Sequence, residues 1–83
     1  MAKAKGIIYG LYVVKDTVAN EVGPIFDAKN DQVAQRGYYG LLKGAEGLFK
    51  DEFRLFKVGS IDKETMEIKS IKPTEILVAI KED

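Results

Sequence analysis

The chain of 83 residues contains no cysteine and no histidine. Without cysteine it can form neither a disulfide framework nor a thiolate metal site, and without histidine it lacks the commonest metal ligand and the commonest general base. A small secreted disulfide scaffold is therefore excluded. We expect no cofactor, no metal ion and no catalytic residue, and we predict that the protein is not an enzyme.

Recognisable catalytic and nucleotide-binding motifs are missing too. Gly37, Gly40, Gly44 and Gly47 match neither the dinucleotide-binding spacing nor the phosphate-binding loop of nucleotide hydrolases. Carboxylates that could cluster around magnesium stand at predicted turns or at the helix start, where such residues are locally useful. They are Asp16, Asp27, Asp31, Asp51, Glu52, Asp62 and Glu64.

The sequence has no excess charge and no long apolar run. Thirteen Lys and Arg balance 13 Asp and Glu, which argues against tight non-specific DNA binding. The first 58 residues carry nine cations and seven acids, so a modestly basic face remains open. The apolar run 7–14 is interrupted by Gly10 and followed by Lys15 and Asp16, and the basic start 1–5 precedes no cleavage site. We expect a soluble, cytoplasmic protein with no membrane partner.

Residues 6–14 give the clearest strand prediction, because they are dense in Ile, Tyr and Val. Both faces of this strand are apolar, which indicates a central strand or one whose outer face meets a partner. Chains of this size often gain stability by oligomerisation, so we expect a homo-oligomer, in the simplest case a dimer.

A helix is predicted after a second extended segment, residues 21–29, in which Pro24 indicates an edge or a bulge. Asn30 or Asp31 can cap the helix, and apolar residues then recur at helical spacing until Leu42, with Gly44 and Gly47 ending the helix. Gly37 and Gly40 either permit a close approach to a sheet or loosen the second half of the helix.

Three more strands are predicted at 52–59, 66–71 and 76–80, with a turn at 60–65 and a break at Lys72-Pro73. The order is β-β-α-β-β-β, which indicates an α+β fold with a mainly antiparallel sheet and one helix. We predict a single domain, 1–83, with a flexible start at 1–5 and a short charged tail at 81–83.

Aromatic and basic residues alternate along these elements, as they do in proteins that stack bases and follow phosphates. The plainer interpretation is a packed core, and it fits Phe26, Phe53 and Phe56 best because little else is large enough to fill the interior. For Tyr12, Tyr38 and Tyr39 both interpretations stay open.

Two segments resemble the small nonstructural protein of gokushoviruses, single-stranded DNA phages of the Microviridae. The first is VGPIFDAKND at 22–31, continued by Ala34 and Arg36, and the second is DEFRLFKVGSID at 51–62. The resemblance covers nearly the whole chain. It departs before Asp51, where Leu48-Phe49-Lys50 replaces a His-Pro pair.

This resemblance implies a phage protein that binds single-stranded DNA during genome replication or packaging. The residues expected to contact DNA are cations for phosphates and tyrosines for base stacking. They are Lys29, Arg36, Lys43, Arg54 and Lys57, with Tyr12 and Tyr39. Arg36 has an alternative role, since it can pair with Asp27 and Asp31 and hold the helix start to the strand.

Two hypotheses therefore stand. The first is a binder of single-stranded DNA, as a homodimer that extends its basic surface across two subunits. The second is a protein-interaction module that recruits or modulates a replication or capsid-assembly protein of the phage without touching DNA. A basic groove with exposed tyrosines would favour the first, and an apolar, uncharged patch would favour the second.

Overall fold

The computed structural model describes residues 7–43 and 52–76. Their elements follow one another as β1 (Ile8–Asp16), β2 (Glu21–Val22), β3 (Phe26–Ala28), α1 (Asp31–Lys43), β4 (Phe53–Asp62) and β5 (Ile68–Glu75). Every strand pairing is antiparallel. The predicted α+β class, with one helix and an antiparallel sheet, is confirmed.

The sheet has the order β2-β1-β4-β5, and β3 also pairs with β1. β2 and β3 lie one after the other along the same edge of β1, opposite Lys15 and Tyr12 respectively. The prediction of one extended segment at 21–29 was wrong in this respect, because the chain is interrupted at 23–25. Pro24 lies in this interruption, where its missing N–H costs no ladder hydrogen bond. The order is thus β-β-β-α-β-β.

β5 continues through Lys72-Pro73, so the prediction that this pair breaks the strand was wrong. β5 is at the edge of the described sheet, where proline is tolerated. The register also shifts here. On β4 a single residue, Val58, separates Lys57 from Gly59, whereas on β5 three residues, 71–73, separate their partners Thr74 and Ser70. Pro73 therefore falls in a bulge, where no ladder bond is required of it.

The chain leaves β5 at Ile76, whose N–H donates to the Leu55 carbonyl at 2.8 Å. Most of the last predicted strand, 76–80, lies outside the described residues. The same holds for the predicted flexible start 1–5 and the predicted tail 81–83.

The main core forms where α1 packs on one side of the sheet, which we call the helix face. Its fully or nearly buried side chains come from β1, β3, α1 and β4, with partly buried Phe26 and Phe53 packed against them. The buried members are Tyr12, Val14, Ala28, Ala34, Tyr38, Leu42 and Leu55. We call the other side, which no described element covers, the open face. No helix within 7–43 and 52–76 is long and apolar enough to cross a membrane.

Candidate nucleic-acid interface

The candidate site is built around the start of α1. Asn30 caps the helix, because its Oδ1 accepts the N–H of Val33 at 2.9 Å and its carbonyl accepts the N–H of Ala34 at 3.0 Å. Asp31 is the first helical residue, and its Oδ1 accepts a hydrogen bond of 2.6 Å from the Tyr12 hydroxyl. The first turn of α1 is thereby held against β1.

Tyr12 is completely buried, with its ring 5.9 Å from that of Phe26 at an interplanar angle of 28°. The ring lies over Gly10, where a Cβ atom would stand only 2.6 Å from the Tyr12 oxygen. Burial, followed by the hydrogen bond to Asp31, raises the pKa of Tyr12 above its ordinary value. The prediction that Tyr12 stacks on a DNA base does not fit this burial, since no ring face is available.

A polar depression of about 480 Å³ opens beside the helix start, and it contains two of the predicted phosphate-binding cations, Lys29 and Lys57. Lys57 is paired with Tyr12 across β1 and β4, and Lys29 directly follows β3, which pairs with the other edge of β1. The register of three strands thus brings together two lysines that are 28 positions apart in sequence. Sequence reasoning missed the polar residues beside them, Asn30, Gln32 and Ser60.

Arg36 is exposed on α1, four residues after Gln32, so the two side chains share one side of the helix. The predicted pairing of Arg36 with Asp27 and Asp31 is not formed. Asp27 binds Lys63 instead, with a distance of 2.5 Å between Oδ2 and Nζ, and Asp31 accepts the Tyr12 hydroxyl. Within the described part of the chain Arg36 has no ion pair, which leaves its guanidinium available to a ligand.

Tyr39 and Lys43 continue the stripe of α1 that begins with Gln32 and Arg36, because successive members are three or four positions apart. The Tyr39 ring is half-buried, and its centre lies 6.1 Å from that of Tyr38 at a tilt of 49°. Tyr38 is buried, which raises its pKa, and its hydroxyl donates to the Phe53 carbonyl. Lys43 is the last residue of α1, and its side chain lies outside the described part.

Arg54 stands apart from the other predicted cations. Its Nη1 lies 2.9 Å from Oε2 of Glu75, and the two side chains are 49% and 32% exposed. A phosphate would have to compete with this carboxylate. The structure therefore brings Lys29 and Lys57 together, places Arg36 and Tyr39 on the adjoining helix, and leaves Arg54 in an ion pair.

The open face holds a second feature that the choice of site residues overlooked. It contains an apolar groove of about 410 Å³, lined by Val13, Lys15, Val22, Ile25, Phe56, Val58 and Pro73. At another part of this face, Lys63 lies 5.0 Å from the centre of the Tyr9 ring while it binds Asp27. Its hydrogen bond to Lys63 lowers the pKa of Asp27, and the same bond raises the pKa of Lys63. The sequence did carry a signal for the apolar groove, because it predicted that both faces of β1 are apolar.

Within the described ranges, no three acidic side chains gather into a group that could hold a metal ion.

Comparison with curated proteins and with solved structures gave no match. A family model described as Phage ORF5 protein matches residues 9–82, which is most of the chain and includes every element described above except the first residue of β1. The chain therefore belongs to the Phage ORF5 protein family, a family of bacteriophage proteins.

Proposed function

We propose that this phage protein binds single-stranded DNA in the host cytoplasm during genome replication or packaging, through the helix-face depression and the adjoining side of α1. The observation that carries the proposal is that Lys29 and Lys57 line one depression. Two ammonium groups on a polar surface suit the backbone of a nucleic acid, whose phosphates supply most of the binding free energy. The resemblance to gokushovirus nonstructural proteins supports the same function.

The neighbouring side chains decide where a phosphate sits. Asn30, Gln32 and Ser60 offer further hydrogen-bond donors around the two lysines. Asp31 lines the same depression, and its negative charge repels a phosphate from the first turn of the helix. We therefore place the phosphate between Lys29 and Lys57, away from the Asp31 carboxylate.

The rest of a bound strand would follow α1 from the depression. Arg36 is exposed and unpaired within the described residues, so it can contact the next phosphates. Tyr39 is half-buried and offers part of a ring for stacking. With so few cations at the site and no net charge, we expect modest affinity that falls as the salt concentration rises, with a slope set by the small number of phosphate contacts.

A salt series tests this proposal. The double variant Lys29→Gln/Lys57→Gln and the natural chain are titrated against labelled oligothymidine between about 50 and 200 mM salt. Because each single-strand phosphate contact contributes about 0.7 to the slope of log K against log salt, removing both lysines should reduce the slope by about 1.4.

The control is Lys72→Gln, which removes one positive charge, half of the change in the double variant, from the exposed edge strand β5. This control should leave both the affinity at low salt and the slope close to those of the natural chain. Absence of binding at low salt would reject the proposal, and an unchanged slope in the double variant would reject the assigned surface.

The alternative hypothesis, a module that recruits a phage replication or capsid-assembly protein, draws support from the apolar groove of the open face. This groove is on the side of the sheet opposite the two lysines, so it does not compete with the DNA proposal. If a pull-down with phage replication and capsid proteins retained nucleic acid alone, the alternative would fail.

A further inference from the structure

The open face is apolar where an exposed sheet face is expected to be polar. Antiparallel sheets with one solvated face normally alternate apolar and polar residues, because only one face is packed. Here Val13 is only 6% exposed although it points away from α1, and Ile25 and Val22 remain 61% and 57% exposed beside it. Among the described residues that line the apolar groove, Lys15 alone is charged.

We infer that a second copy of this chain packs on the open face, with the apolar groove at the centre of the interface. A twofold interface places the same patch on both subunits, and an apolar patch is complementary to itself. Elsewhere on this face the Lys63 ammonium is already neutralised by Asp27. An apolar centre with polar margins is the usual composition of a protein interface, whereas a nucleic acid requires cations.

The size of the face suits a dimer. β1 and β4 have nine and ten residues, so at about 3.3 Å per residue they are roughly 30 Å long. The face is four strands across, and at about 4.8 Å per strand it is roughly 19 Å wide, which gives a projected area of roughly 570 Å². A standard interface takes roughly 800 Å² from each partner, so a dimer would use nearly the whole face, including the relief of its side chains.

The last described residue does not cover the apolar groove. The Ile76 side chain packs against the core of the helix face, and its N–H binds the Leu55 carbonyl, so the backbone is still in the plane of the sheet. Within the described residues, nothing that follows β5 occupies the groove.

Sizing with light scattering on the full chain, without nucleic acid and over a wide range of concentration, tests the inference. The natural chain should have twice the mass of one chain, at low and at high salt alike, because the contact is apolar. Ile25→Glu places a charge in the interface and should raise the dimer dissociation constant at least about tenfold. Since Ile25 is largely exposed in one subunit, circular dichroism should show that this variant remains folded.

Val18→Glu is the matched control, since Val18 is 71% exposed in the turn between β1 and β2 and makes the same change of charge. It should dimerise like the natural chain.

If Ile25→Glu unfolds, Val22→Glu takes its place, with the same expected loss of dimer. A natural chain that is monomeric at every concentration would overturn the inference and leave the face to the chain's own end or to another partner. A dimer that Ile25→Glu, or Val22→Glu in its place, weakens no more than Val18→Glu does would also overturn it.

Discussion

At the scale of single residues, Tyr12 shows how a tyrosine that suits base stacking becomes part of the core. Its ring occupies the space above Gly10, and its hydroxyl reaches Asp31 at the helix start. Local sequence could not distinguish a buried from an exposed ring here, because the distinction depends on the pairing of β1 with β3 and β4. The alternative role predicted for Arg36, pairing with Asp27 and Asp31, was wrong for a similar reason, since the distant residue Lys63 binds Asp27.

The raised pKa of Tyr12 predicts a loss of stability in alkali. In the unfolded chain Tyr12 ionises near its ordinary pKa of 10.0, whereas in the folded chain it keeps its proton to higher pH. The unfolded state therefore binds fewer protons above pH 10, and the free energy of unfolding falls as the pH rises towards the folded pKa. Below pH 10 this contribution to stability is fully present.

Replacing Tyr12 with Phe tests this linkage. Above pH 10 the free energy of unfolding should fall less steeply in the variant than in the natural chain. The difference between the two slopes should be about 1.4 kcal/mol per pH unit. At neutral pH the variant should be about 1 kcal/mol less stable, because Asp31 loses a hydrogen bond. Urea unfolding across this pH range measures both effects, and parallel curves above pH 10 would contradict the assignment.

At the scale of elements, local patterns predicted α1 well. Asn30 caps it as expected, and the apolar spacing gave a helix that ends at Lys43. Strand ends were predicted less well, because they depend on pairing with distant residues. β5 passes through Pro73 because it is an edge strand with a bulge, which no local pattern within 66–71 could show.

The structure also answers the question of the helix glycines. A Cβ atom at Gly40 would meet no described atom within 4 Å, and one at Gly37 would lie 3.8 Å from Phe26 Cε2, an ordinary contact. Neither glycine is therefore needed for a close approach of α1 to the sheet, and each loosens the helix.

Gly40→Ala should stabilise the protein by about 1 kcal/mol, because alanine has the higher helix propensity and no space is lacking. Thermal and urea unfolding measure the gain. A neutral or destabilising result would show that residue 40 contacts something in the folded chain that the described residues do not include.

At the scale of the whole molecule, the two faces of the sheet divide the proposed roles. The lysines that line the depression belong to the helix face, whereas the apolar groove belongs to the open face. Two chains joined through their open faces would carry their depressions on opposite outer sides. Such a dimer does not extend one basic surface across both subunits, which was the arrangement expected from the sequence, and it presents two separate surfaces to DNA.

The candidate site was only partly predictable from the sequence, because it depends on how distant strands pair. Lysine and tyrosine content suggested phosphate and base contacts, but the pairing of Tyr12 with Lys57 decided which cations meet. Lys29 and Lys57 came together, whereas Arg54 became bound to Glu75.

Mapping of amide chemical shifts in the isotope-labelled natural chain, with oligothymidine added at low salt, tests the central claim most directly. The account predicts saturable shifts at Lys29, Asn30, Gln32, Lys57 and Ser60, extending to Arg36, with little change at Val13, Val22 and Val58 on the open face. Shifts concentrated on the open face, or no shifts at all at low salt, would contradict it.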